Sequence, residues 1–268
     1  VAHSVLASRW LRVDLLDVVH GDSLVVRTPR GHTLVVDAGS PEAGRFRVIP
    51  FLRAEGLHTL DAVIVTHPDA AHLGGAVPLL EEIRVKRLLT NGVRDDTMSA
   101  RHLRRIAARR HIPEIAVSAG MRFSGALGAE IEVLHPPPGL VDGVALESND
   151  NSLVLKITKG SISILLCGDI EEAGLPWLLE AGRPLSATVL KVPHHGSRLG
   201  PVGQRFFNTV GPKIAILSVG RLHQLPAVET LQALHRTGAR IYSTREDGAI
   251  HLRTDGRRLE VRTFKNTS

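Results

Sequence analysis

Apolar positions along the chain fall in short runs separated by turn residues. Residues 11–18 alternate apolar and polar side chains, and apolar runs at 24–28 and 33–36 follow the turns His20-Gly21-Asp22 and Pro29-Arg30-Gly31-His32. Such alternation, punctuated by Gly, Asp and Pro, predicts a β-meander. Residues 45–55 carry a helical period, and Gly56 stands where a C-terminal cap belongs. A wholly apolar strand is expected at 61–65, a helix at 76–82, a strand at 85–89 and a strongly basic helix at 99–110. The second half follows the same plan, with strands at 131–134, 152–157 and 161–166, a helix at 171–181, and strands at 187–192 and 214–219. A helix at 227–237 and strands at 240–243 and 248–253 complete it. Strands, helix, strand, helix, twice over, predict an α/β fold in four αββα layers, two sheets face to face with helices outside. The break Pro136-Pro137-Pro138-Gly139 is read as a rigid loop, and no Gly/Ser-rich linker divides the chain, so one domain over residues 1–268 is expected.

Composition sharpens the picture of the core. Hydrophobic residues make up 43% of the 268 but aromatic ones only 3%. The interior must therefore be built from Val, Leu, Ile and Ala, which suits strands covered on both faces. Thirty-three basic against 27 acidic residues leave a formal charge of +6, compatible with a phosphate-bearing partner but well short of a dedicated nucleic-acid coat. The lone Cys167 excludes an internal disulfide and a Cys-rich zinc cluster. No apolar run approaches the roughly 20 residues of a membrane-spanning helix. The opening Val1-Ala2-His3-Ser4 is neither an initiator Met nor a signal peptide, so a fragment or processed form is expected.

Fourteen histidines are present, and three segments set some of them apart. Each is an apolar strand that stops abruptly in metal-competent side chains near a glycine. Val65-Thr66 runs into His67-Pro68-Asp69-Ala70-Ala71-His72, Leu166-Cys167 into Gly168-Asp169, and Val192-Pro193 into His194-His195-Gly196. Strand ends are rigid platforms, and imidazoles and carboxylates meeting there suit Zn, Mn or Fe. His3, His32, His58, His102, His111, His135, His235 and His251 lack that setting and are read as surface residues.

His67-x-Asp69-x-Ala71-His72 resembles the His-x-His-x-Asp-His signature of the metallo-β-lactamase superfamily, and most of all the domain of ComEC-type DNA-uptake (competence) proteins. Collinear support comes from Val19-His20-Gly21-Asp22-Ser23, Val36-Asp37-Ala38-Gly39, Asn149-Asp150-Asn151-Ser152, Leu166-Cys167-Gly168-Asp169, Lys191-Val192-Pro193-His194-His195-Gly196-Ser197-Arg198 and Asp247-Gly248. The resemblance implies the four-layer metallo-β-lactamase fold and one or two divalent ions, zinc or manganese. It places His67 and Asp69 on one metal, His72 and one of His194 and His195 on a second, and Asp169 between them, with His72 and Asp169 in the catalytic centre. Asp22, Asn149, Asn151, Ser197 and His223 would face the substrate.

The activity implied is metal-assisted hydrolysis of phosphodiesters in single- or double-stranded DNA, on a domain attached to the cytoplasmic membrane and facing its outer side. Lys191, Arg198 and Arg221 would guide the phosphate backbone, and the basic helix at 99–110 could join them, although a solvated basic face is the favoured reading of that helix. The chain departs from the signature where Ala71 replaces the usual Asp, where Val19-His20 replaces a Gly-Gln pair, and where Leu225 replaces a second His after His223. A methyl group cannot bind a cation, so a catalytically weak binding or scaffold domain is the alternative. Hydrolysis of a small ester or lactone is a further one.

Overall fold

The computed structural model describes residues 8–125, 127–140, 149–220 and 224–266. Eight strands form one sheet in the order Leu259–Thr263, Ile250–Thr254, Leu11–Leu15, Ser23–Arg27, Thr33–Ala38, Ala62–Val65, Leu88–Thr90, Glu114–Ala116. The meander half is antiparallel, and pairing turns parallel from Thr33–Ala38 onward, where helices cross between strands. A second sheet of seven runs Arg240–Ser243, Ile214–Leu217, Val189–Lys191, Ile162–Leu166, Val154–Lys159, Glu130–His135, Arg122–Phe123.

Alternation along these strands sorts their side chains into three cores. Between the sheets lie Val13, Leu15, Val26, Val36 and Ile64 from the first, packed on Val133, Leu155, Ile157, Ile164 and Ile216 from the second. The opposite face of the first sheet, with Val25, Val35 and Val63, is covered by Leu52, Leu79, Leu80 and Ile106 from helices. That of the second, with Leu165, Leu190 and Ala215, is covered by Leu178, Phe206, Phe207 and Leu234. The expected four αββα layers are present.

Several boundaries depart from expectation for local reasons. The first strand ends at Leu15, and residues 16–22 leave the sheet to form a loop over the site. The apolar stretch at 85–89 is two strands, Arg84–Val85 pairing with Thr59–Leu60 and Leu88–Thr90 in the large sheet. The helix expected from 45 starts at Pro41, capped by Ser40, and widens to i→i+5 turns over Gly44–Val48 before Ile49–Ala54. A helix at Gly200–Val210 was hidden by Gly200, Pro201 and Gly203, yet proline is tolerated in a first turn, and Phe206, Phe207 and Val210 bury its inner face. The strands Glu114–Ala116, Arg122–Phe123 and Leu259–Thr263 were also missed, since sheet-edge strands bury one face at most and carry little apolar signal.

Close backbone contact holds the layers at the site's edge. A Cβ on Gly75 would lie 2.0 Å from the carbonyl oxygen of Ala38, at the end of a central strand. Gly75→Ala is expected to cost about 1–3 kcal/mol through this steric conflict alone, because its φ of −70° is ordinary. Chemical denaturation measures it; an unchanged midpoint would show that the helix slides without cost.

Candidate metal centre

Each expected strand end delivers its side chains to one place. The strand Ala62–Val65 stops at Thr66, whose N–H and hydroxyl both donate to Asp37, at 2.8 and 2.7 Å. Asp37 sits at φ 54°, a left-handed conformation unusual for a non-glycine residue, and also accepts from His72 Nδ1 at 2.9 Å. A carboxylate on Nδ1 fixes the ring and leaves Nε2 to face the centre, as in carboxylate–histidine–metal arrangements. His67 is oriented by the Thr66 hydroxyl, 3.0 Å from its Nδ1.

The second sheet supplies the remaining groups. Residues 193–196 form a tight turn in which both His194 (φ 41°) and His195 (φ 54°) are left-handed, a strain of about 1–3 kcal/mol each. In return His195 Nδ1 donates to the Ser218 carbonyl at 2.9 Å, and Nε2 lies 3.2 Å from Asp169 Oδ2. His72 Nε2 is 3.1 Å from the same oxygen without the alignment of a hydrogen bond. Asp169 itself is positioned by the Ser152 hydroxyl, which accepts from its N–H at 3.2 Å.

These residues fit a divalent ion. His67 Nε2, His72 Nε2 and Asp169 Oδ1 are buried without hydrogen-bond partners. Ligand atoms of His67, His72 and Asp169 stand within 4.8 Å of one another, as do those of Asp22, Asp169 and His195. Two ligands of one tetrahedral zinc lie about 3.3 Å apart, close to the His72–Asp169 and His195–Asp169 spacings.

The electrostatics differ between the two histidines: one is held neutral, and the other favours the charged form that a metal ion must deprotonate. Burial, aided by neighbouring His72, lowers the His67 pKa to about 4, which keeps the imidazole neutral as coordination requires. Burial works against the charged form of His72, but Asp169 and Asp37 outweigh it and raise its pKa. Burial likewise opposes ionisation of Asp169, yet His72 and His195 hold its pKa well below the usual carboxylate range.

The other expected residues divide. Asp22 is buried and forms an ion pair with Lys191, whose Nζ also lies 3.7 Å from Asp169 Oδ1 and donates to Gly168 O at 3.2 Å. Lys191 therefore does not guide a phosphate backbone: its side chain is 2% exposed and committed to an internal pair. Burial opposes its charge, and Asp22 and Asp169 more than compensate, raising its pKa. His194 stands further out, its Nε2 4.0 Å from Asp169 and its Nδ1 paired with Glu171.

Asp69 is exposed, caps the short helix Ala70–Leu73 through the Ala71 N–H at 2.7 Å, and belongs to none of the tight ligand groups. Asn149 bonds to Glu171, Asn151 is buried with its carbonyl accepting from Asn91, and the Ser197 hydroxyl is enclosed. Arg198 pairs with Glu229 at the surface. His223 and Arg221 lie outside the described residues.

Sequence reading missed Asp37, Glu171 and the true role of Lys191. Asp37 had a visible signal, an acid closing an apolar strand before Gly39. His135, expected at the surface, is 1% exposed, donates from Nδ1 to the Ser152 carbonyl at 2.9 Å and has its pKa lowered by burial to about 4. It too ends an apolar strand, the property that distinguished the site histidines.

Two face-to-face sheets with a His/Asp cluster at their strand ends define a metal-dependent hydrolase-like domain. The Metallo-beta-lactamase superfamily model matches residues 16–202, and the chain belongs to that family. It is similar to ComE operon protein 3 of Bacillus subtilis, 33% identical over 264 residues covering 91% of this chain and 33% of that protein. It also resembles Recombination protein 2 of Haemophilus influenzae, 26% identical over 257 residues, 93% of this chain and 30% of that protein. The chain thus spans about a third of the length of these curated relatives. Among solved structures, a metallo hydrolase from Ignicoccus hospitalis shares the fold, with a TM-score of 0.60 at 13% identity, covering 90% of this chain and 98% of that one. Among the described residues no helix is long and apolar enough to cross a membrane.

Proposed function

We propose that this domain is a divalent-metal-dependent phosphodiesterase acting on DNA, with manganese or zinc held by His67, His72, His195 and Asp169. The observation that carries the reading is the convergence of the buried His67, His72 and His195 rings on Asp169, with His67 Nε2 and His72 Nε2 lacking hydrogen-bond partners. A bound divalent ion supplies Lewis acidity and lowers the pKa of water. The chain's own residues prepare that chemistry. Asp37, Thr66 and the Ser218 carbonyl fix three imidazoles, and Lys191 balances the carboxylates that would otherwise repel one another.

DNA as substrate rests on the name of the relative Recombination protein 2 and on one surface feature. The helix Met98–Arg109, with Arg101, Arg105 and Arg109 exposed, packs against the short helix carrying His72 and brings basic charge to the flank of the site. The domain fits a role in DNA handling at the cytoplasmic membrane, facing its outer side.

A second reading, a scaffold with little or no catalysis, is favoured by one observation: Ala71 is a buried methyl beside His72 where the family signature carries Asp. The two readings separate in one experiment. Chelator-treated protein is titrated with Mn²⁺ and Zn²⁺ while bound metal and cleavage of single- and double-stranded DNA are measured. Saturable binding with cleavage that follows occupancy is expected. Binding without cleavage supports the scaffold, and no saturable binding overturns both metal assignments.

A further inference from the structure

His135 ends the strand Glu130–His135 inside the protein, 1% exposed, and it carries a cost that a leucine there would not. Its Nδ1 lies 2.9 Å from the Ser152 carbonyl, and its Nε2 is buried without a hydrogen-bond partner among the described residues. A carbonyl only accepts, so the proton sits on Nδ1 and Nε2 is left as a desolvated lone pair. Burial lowers the pKa of the ring to about 4, which keeps it neutral. The strand is also bent to aim it. Pairing steps from Val133 opposite Leu155 to His135 opposite Val154, which inserts one extra residue on this strand. Such a bulge re-aims a side chain where pairing ends.

The target of that aim, Ser152, lies between the two halves of the metal centre. Its hydroxyl accepts from the Asp169 N–H at 3.2 Å, and a Cβ on Gly168 would lie 3.0 Å from its own Cβ. The next residue, Leu153, donates its N–H to the Thr66 carbonyl at 2.9 Å, immediately before His67. Thr66 follows a strand of the first sheet, and Gly168-Asp169 follow one of the second. Residues 152 and 153 therefore fasten one ligand-bearing strand end to the other. The Ser152 carbonyl lies outside both neighbouring elements, the turn Asn149–Asn151 and the strand Val154–Lys159, and His135 holds it from the side.

Resting on the metal reading above, we propose that His135 is a positioning residue for the ion held by His67, His72 and Asp169. Through the Ser152 carbonyl it sets the separation between the two histidines, which follow the first sheet, and the carboxylate, which follows the second. Ligand atoms of these three residues lie within 4.8 Å of one another. Two ligands of one tetrahedral zinc stand about 3.3 Å apart, so the cluster leaves Ser152 little slack. A buried imidazole with one unused nitrogen is kept because that carbonyl needs a neutral donor of fixed direction.

Four proteins test this: the wild type, His135→Leu, His135→Asn and Ser152→Ala. Leucine fills the space without a donor, whereas an asparagine amide places an N–H where the Nδ1–H stood. Each is titrated with Zn²⁺ against a chromophoric chelator and with Co²⁺, read by its visible d–d spectrum, and the Tm of the metal-free form is measured alongside. His135→Leu and Ser152→Ala are each expected to weaken Zn²⁺ binding about 10-fold and to alter the Co²⁺ spectrum. His135→Asn is expected to keep the spectrum and an affinity within about threefold of wild type, even where its metal-free Tm falls. A residue that only packs the core would lower Tm in both His135 variants and leave affinity and spectrum unchanged, and that result overturns the proposal. So does an asparagine variant that binds as weakly as the leucine one, because the donor would then not matter. If His135→Leu does not fold, wild-type affinity and spectrum in Ser152→Ala overturn it instead. A wild type that binds neither ion overturns the metal reading itself, and this one with it.

Discussion

Asp169→Asn is expected to abolish tight metal binding, weakening it by more than about 100-fold, with loss of any metal-dependent cleavage. The reasoning starts from geometry. Asp169 is the group shared by His72 at 3.1 Å and His195 at 3.2 Å, and two of the three candidate ligand groups among the described residues include it. Replacing a carboxylate by an isosteric amide removes the only anion among the described residues that touches both imidazoles, and places either a weaker oxygen or an NH₂ toward the ion. Even residues that only orient a ligand cost 10–100-fold when changed, so the shared ligand itself must cost more. Because Asn conserves shape, the fold is retained, and the effect appears as a lost ligand response. Ion at 100 times its Kd stabilises the wild type by about 2.7 kcal/mol, a rise in Tm that the variant should not show. A variant that still gains Tm with Mn²⁺ would place the ion elsewhere.

Lys191→Met is expected to be the most destabilising change in the site. Lys191 and Asp22 are both almost fully buried, and removing one partner of such a pair leaves a desolvated charge behind, costing about 3–5 kcal/mol. Another polar ring beside Asp22 is that of His195, its Nδ1 3.6 Å away. For a domain of this size the loss corresponds to roughly 10 °C in Tm. Two controls make the cause identifiable. Adding Asp22→Asn to Lys191→Met should recover much of the loss, since the stranded carboxylate is then neutral. Saturating divalent ion should also lessen the deficit, because a cation near Asp169 takes over part of the balance that the ammonium provided. A deficit below about 1 kcal/mol, or a double variant no better than the single one, would show that the pair contributes little.

Much of this protein was legible in its sequence because the relevant signals are local. Alternation at 11–36, the helix at 76–82 and strand ends running into His67, Asp169 and His195 all express backbone periodicity within a few residues. What was misread depended on partners distant in the chain. Lys191 looks like a surface cation until Asp22, 169 residues earlier, is placed against it. His135 looks like a loop residue until the Ser152 carbonyl receives its proton. The helix Gly200–Val210 was concealed by its own glycines and proline, and only burial of Phe206 and Phe207 makes it worthwhile.

The sequence by itself determined the layer pattern and the strand ends at which His67, His72, Asp169 and His195 come together. Periodicity and strand-terminal side chains are properties of short segments. Only the tertiary structure decided how those residues divide the work. It set Asp37 behind His72, turned Asp69 away to cap a helix, gave Lys191 to Asp22, and tied Ser152 to both His135 and Asp169. Each of these is a contact between elements brought together by sheet order and layer packing. Hydrogen-bond partners and desolvation are fixed by such three-dimensional neighbours and not by spacing along the chain.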